Sequence, residues 1–256
     1  MENLSVADLT AAPALLAAVA RLPAGTGAVV LPFPPARDAR EFGRLERTLR
    51  RAKVLGVVNH PLLGRPCWAK AMEWLASGVL GAIEHVEVDL RGAFPAGETA
   101  GPGTEAPPFT RCLVRGDRGL WAALDFVLRL PYGLPQICFY EKPAARELRS
   151  VAGSASAHPF PVIRLTWRPQ GNSEPAEQLL IQAANGRLEL VAGPCHAVTT
   201  VRMILATGHE ATAEFSEMPP VQLAIAWARH AASHGLAGGP LALDRLAPFY
   251  NWLARP

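Results

Sequence analysis

Trp68-Ala-Lys-Ala-Met-Glu-Trp-Leu-Ala-Ser-Gly-Val-Leu-Gly-Ala-Ile-Glu-His-Val-Glu-Val-Asp-Leu-Arg91 changes period halfway along. Up to Ser77 its apolar residues recur at helical spacing, and Gly78 marks the end of that helix. From Ile83 to Arg91 apolar and polar residues alternate, which is the pattern of a strand with one wet face. A helix running into a half-wet strand implies an open sheet covered on one side.

Upstream the pattern differs. Leu9–Arg21 reads as a helix and Ala28–Leu31 as a short buried strand; Pro32, Pro34 and Pro35 then break the chain. Asp38–Arg51 is an amphipathic helix, with Phe42, Leu45, Leu49 and Val54 forming one apolar stripe. Lys53–Asn59 is a second buried strand. Strand, helix and strand together make a parallel α/β unit.

Downstream, the Pro- and Gly-rich stretch between Phe94 and Phe109 reads as a loop. Gly119–Leu130 follows as a helix. Strands are expected at Gln136–Glu141, Val162–Trp167, Glu177–Ala183, Arg187–Val191 and Val198–Ala206. Asn185-Gly186 marks a tight hairpin. Val221–Ser233 and Asp244–Trp252 are closing helices. The fold class is α/β (α+β): a remnant of a Rossmann-type parallel unit, then a larger, mostly antiparallel open sheet with helices on one face. The boundary falls at residue 59, giving domains 1–59 and 60–256. No internal repeat is present.

The 256 residues, half of them hydrophobic and 18% charged, describe a folding chain. A chain of this length buries roughly 70% of its unfolded surface and needs no disulfide or metal staple. No apolar run approaches the roughly 20 residues that cross a bilayer. Glu2 and Asp8 sit where an export signal carries positive charge. Cys67, Cys112, Cys138 and Cys195 have no zinc or redox spacing. The expectation is a cytoplasmic protein with reduced thiols and no membrane partner.

The net charge of +3 is small for a nucleic-acid partner, and none is expected. The basic residues are 22 Arg to 3 Lys, a bias that GC-rich coding accounts for. The basic run from Arg44 to Lys53 reads as the solvated face of the amphipathic helix.

The order of segments resembles the glucose–fructose oxidoreductase/inositol dehydrogenase (Gfo/Idh/MocA) family from about residue 9 to the end. Four places carry the resemblance. Val29–Pro34, a helix, then Val54–His60 look like the fourth to sixth elements of the family's nucleotide domain. Ala69–Val86 resembles the helix, GxLG turn and first strand of its second domain, and is the most specific of the four. Asp117-Arg-Gly-Leu-Trp121 with Asp125 resembles the family's D-x-G-x-H segment. Ile181–Leu190 resembles its glycine hairpin. Leu188–Pro194 also shares a few residues with the thiazoline imine reductase branch.

The resemblance implies a dinucleotide-dependent oxidoreductase, and the departures argue against one. No G-x-G-x-x-G loop occurs to seat a pyrophosphate. No acidic residue follows a second strand to hold a ribose, and about sixty residues of the nucleotide domain are expected to be missing. The family's Glu-Lys-Pro lysine aligns with Phe33, which has neither charge nor donor. Its catalytic histidine, a general acid or base, aligns with Trp121, and indole has no proton that titrates near neutral pH. Glu141-Lys142-Pro143 is an actual Glu-Lys-Pro, but it ends a second-domain strand and lies outside the motif's context.

Other constellations are weaker. His230 and His234 have a zinc-compatible i, i+4 spacing but no evident third ligand, so no metal is expected. Cys195-His196 lacks a third group to hold a base. Gly153-Ser-Ala-Ser-Ala is a small-residue linker.

Asn59, His60 and Arg65 follow the last strand of the α/β unit, where open sheets place ligands. With Asp117, Trp121 and Asp125 they are the candidate lining of a substrate pocket; the equally weighted reading makes Trp121 core and Asp125 an i, i+4 partner of Arg129. His60 and Asp117 are the candidate acid–base pair of a cofactor-independent enzyme. The expected function is that of an oxidoreductase-like pseudoenzyme with no cofactor. It would bind a small polar ligand, or act as a homodimer or as an accessory to a related full-length subunit, through the second-domain sheet. The alternative is an NAD(P)-dependent reductase completed by another chain or by an upstream N-terminus.

Overall fold

A computed structural model describes residues 5–12, 14–91, 118–130, 136–142, 145–151, 162–168, 176–192, 198–216, 218–234 and 239–254. The chain divides into two compact units, residues 1–65 with 218–256, and residues 66–217.

The first unit is built on a three-stranded parallel sheet in the order β1 (Ser5–Asp8), β2 (Thr26–Leu31), β3 (Leu55–Val58). Between the last two runs α2 (Ala39–Ala52), as its apolar stripe requires: Phe42, Leu45 and Leu49 are buried. Asp38 caps its start by accepting the Glu41 N–H at 2.8 Å. Its end is set by Lys53 in the left-handed region, at φ 55°. The expected helix over Leu9–Arg21 is shorter, α1 at Leu15–Val19. Asp8 explains the loss: its side chain accepts from both the Thr10 N–H and the Thr10 hydroxyl, at 2.9 and 2.7 Å, and holds the chain in a turn.

The sequence reading put the last 39 residues with the second domain. Instead α5 (Pro220–His234) packs on β1, β2 and β3, and a 3-10 turn (Leu243–Leu246) leads into α6 (Ala247–Leu253), which packs against α2. The reason is burial. Val29 and Val30 are both 0% exposed although they point to opposite faces, so the sheet needs a cover on each side.

The second unit is an eight-stranded sheet, with α3 (Pro66–Ala76) and α4 (Arg118–Leu128). Its strands are β4 (Ile83–Arg91), β5 (Gln136–Lys142), β6 (Ala145–Val151), β7 (Val162–Arg168), β8 (Ala176–Ala183), β9 (Gly186–Ala192), β10 (Val198–Leu205) and β11 (Glu210–Ser216). The spatial order is β11-β10-β9-β8-β4-β7-β6-β5, and only the β4–β7 pair is parallel. Val86, Val88 and Leu90 align with Ile181, Leu179 and Glu177 on one buried face, against which α3 and α4 pack. The sequence reading missed β1, β6 and β11. β1 and β11 lie at sheet edges, where alternating or continuous apolar patterns are not required.

Candidate functional site

β2 ends at Leu31 and leads to Phe33, which joins Pro34 through a cis peptide bond. β3 passes the chain to Asn59, whose N–H donates to the Leu31 carbonyl at 2.8 Å. This sets Phe33 and His60 side by side at the carboxyl ends of two parallel strands, where open α/β sheets bind ligands.

The His60 imidazole is turned onto the loop that follows it. Its Nδ1 accepts the N–H groups of Leu62 and Leu63 at 3.2 and 3.0 Å, which places the ring proton of the neutral form on Nε2. The Gly64 N–H returns to the His60 carbonyl at 2.8 Å. A Cβ at Gly64 would lie 2.5 Å from that oxygen, so this turn closes only around glycine. Arg65 is half-buried at the end of the turn.

The space beside Phe33 is filled by side chains. Its ring lies 4.4 Å from the His60 ring and 6.4 Å from the Phe249 ring. Phe33 is 3% exposed, and His60 and Phe249 are 0% exposed. Next to Phe249, the Tyr250 hydroxyl donates to the Ala36 carbonyl at 2.7 Å and accepts the Ala36 N–H at 3.0 Å. Its ring stacks on Phe42 at 4.3 Å. The loop after β2 is thus tied by both its backbone groups to a helix 214 residues away. Phe249 and Tyr250 were not among the candidate residues, because nothing local in the sequence links them to position 33.

Trp121 and Asp125 lie in the second unit, on α4, at 6% and 0% exposure. Asp125 forms an ion pair with Arg129 at 2.7 Å, with both side chains nearly covered. One turn on, Phe126 meets Trp68 edge to face at 5.0 Å. The Trp68 indole donates to Glu177 at 3.3 Å, and both residues are buried. Glu177 escaped the sequence reading. Its period-two register with Leu179 and Ile181 was the signal that it faces inward.

Asn59, His60 and Arg65 belong to the first unit, and Trp121 and Asp125 to the second. Asp117, Cys195, His196 and Pro143 lie outside the described residues. His230 and His234 are exposed, with rings 4.3 Å apart and the His234 Nδ1–H donating to the His230 carbonyl at 2.8 Å. Among the described residues no three His, Cys, Asp or Glu side chains converge as a metal site. None of the described helices is long and apolar enough to cross a membrane. Cys67 is a buried thiol.

The opposite face of the large sheet is wet and charged. Arg202 grips Glu210 with two nitrogens, Nη2 at 2.7 Å, and holds its carboxyl below the ordinary carboxylate range through that hydrogen bond. Arg187 pairs with Glu189 at 2.7 Å, and Arg164 lies 3.5 Å from Glu87.

Solved structures share this architecture. A Desulfitobacterium hafniense protein assigned as an NADPH-dependent oxidoreductase matches with a TM-score of 0.63 at 10% identity, over 93% of this chain and 71% of its own. A variant of KijD10, a 3-ketoreductase from Actinomadura kijaniata in complex with TDP-benzene and NADP, matches at 0.56 and 17% identity, over 95% and 73%. These structures share the fold that the Gfo/Idh/MocA resemblance implies. A super-repressor mutant of Gal80p from Saccharomyces cerevisiae shares this architecture at a TM-score of 0.52 and 10% identity, over 85% of this chain and 63% of its own. No family model and no curated protein matches the sequence.

Proposed function

We propose that this oxidoreductase-like chain is a non-redox binding or accessory subunit that seats no nicotinamide dinucleotide. One observation carries the reading: the crest of the parallel sheet is packed with Phe33, His60 and Phe249, all nearly or fully buried. A dinucleotide needs backbone N–H groups and a polar, open crest. Here the rings fill the space beside the strand ends, and the two N–H groups nearest His60 already bond to its imidazole. The residues present do not fit the cofactor. The neighbours support the breadth of the reading, since they include both a ketoreductase and a super-repressor mutant.

In this reading the chain associates with a second copy, or with a related full-length subunit, through the wet face of the eight-stranded sheet. Its alternating Arg and Glu residues suit a self-complementary contact. Calorimetric titration of the full chain with NADH and NADPH is expected to give no heat of binding. Micromolar affinity for either would overturn the proposal.

A second reading has one observation in its favour. Among the described residues β1 pairs only with β2, so one edge of a parallel sheet is open to a strand from another chain. A reductase completed in that way would bind NADPH only in the presence of its partner chain.

A further inference from the structure

The whole-chain charge of +3 averages two opposite populations. Residues 1–65 with 218–256 hold twelve basic and six acidic residues, whereas residues 66–217 hold thirteen and sixteen. The excess in the first unit is concentrated on one helix. Between positions 37 and 53 lie Arg37, Arg40, Arg44, Arg47, Arg50, Arg51 and Lys53, all exposed.

We propose that α2 is a sequence-independent docking surface for the phosphate backbone of a nucleic acid. Arg40, Arg44, Arg47 and Arg51 succeed each other at steps of four, three and four residues, so they form a single line along the helix. At 1.5 Å per residue that line is about 16 Å long. The acids nearby are engaged elsewhere. Asp38 caps the helix, Glu41 accepts the Arg37 backbone N–H at 2.8 Å, and Glu46 pairs with Arg50 at 2.7 Å. The four aligned arginines form no ion pair among the described residues. Like charges three and four apart on a helix repel, and no described acid pairs with these four to offset it. An Arg-rich code sets the choice of arginine over lysine; it does not align four of them.

The chemistry of the face selects its occupant. Its apolar side, Phe42, Leu45 and Leu49, is buried in the unit, and the exposed side offers no aromatic side chain and no aliphatic one larger than the Ala52 methyl. A protein interface needs a desolvated apolar centre, and exposed ion pairs alone contribute only about 0–1 kcal/mol each. A bilayer-bound helix likewise needs an apolar face to insert. Binding to a phosphodiester backbone needs neither, because it is driven by counterion release. A convex, cation-lined helix also suits the width of a duplex groove.

The test is fluorescence anisotropy of a labelled DNA duplex of arbitrary sequence, titrated with the full chain. Phosphatidylserine vesicles and polyglutamate serve as parallel probes. The proposal expects duplex affinity in the range of about 10⁻⁴ to 10⁻⁶ M at low salt, falling steeply as salt rises. Arg44→Gln with Arg47→Gln is expected to weaken binding about tenfold or more and to flatten the log–log salt slope by about two. Both positions are exposed and unpaired, so the variant keeps its circular dichroism spectrum and melts no lower than the parent. Duplex binding that is undetectable at low salt, or unchanged in the variant, would sink the proposal. So would vesicles or polyglutamate binding more tightly than DNA. These outcomes are independent of whether the crest binds NADPH.

Discussion

In the small sheet Ala28, Val29, Val30 and Leu31 are all 0% exposed. In the large sheet Val86, Val88 and Leu90 are buried, while Glu87 between them faces water beside Arg164. The same chain thus covers one sheet on both faces and leaves the other with a wet side. The small sheet obtains its second cover from residues that arrive more than 150 positions later, through α5, α6 and the rings of Phe249 and Tyr250. That cover is also what fills the crest where sheets of this kind hold ligands. The large sheet keeps its polar groups in two separate classes: buried ones on the helix side, such as Glu177 with Trp68 of α3, and exposed pairs on the open face, such as Arg202 with Glu210.

The contrast can be broken most forcefully at the crest. Phe249→Ala removes the ring that backs Phe33 and is expected to cost about 3–5 kcal/mol in chemical denaturation. A loss below about 1 kcal/mol would mean that the C-terminal cover is not integral to the first unit. In the second unit, Asp125→Ala leaves a buried guanidinium without its partner carboxylate and is expected to cost about 3 kcal/mol. Replacing Asp125 and Arg129 together by Leu and Met should recover most of that loss, which a site built for binding would not show in a ligand assay.

Tyr250→Phe tests the tie rather than the packing. It deprives the buried Ala36 N–H and carbonyl of their shared hydroxyl, with an expected cost of about 1–3 kcal/mol and faster amide exchange at Ala36. The smallest effect belongs to the wet face. The Glu210 carboxyl is held below its ordinary range in the folded state, so its contribution is present above the ordinary carboxylate pKa and is lost as pH falls through the lowered value. Glu210→Gln should therefore lower the melting temperature slightly at neutral pH. The difference from the parent should vanish in acid and shrink in high salt.

Much of the fold was legible because both kinds of burial leave a local trace. Phe42, Leu45, Leu49 and Val54 announced α2, and the Ile83–Arg91 alternation announced β4. The short strand β1 left no such trace, since an edge carries no obligation to be apolar. The site was less legible. Asn59 and His60 were placed correctly at the end of a strand, but position alone could not reveal that His60 Nδ1 serves the Leu62 and Leu63 N–H groups.

The sequence by itself determined most of the helices and strands, together with the residue types that stand at Phe33 and Trp121. These follow from local periodicity and from side-chain chemistry, which need no knowledge of distant neighbours. Only the tertiary structure decided that the last 39 residues close the first unit and that Phe249 and His60 crowd Phe33. Those are contacts and alignments between residues far apart in the chain, and packing settles them because each buried ring must find its neighbours wherever the chain supplies them.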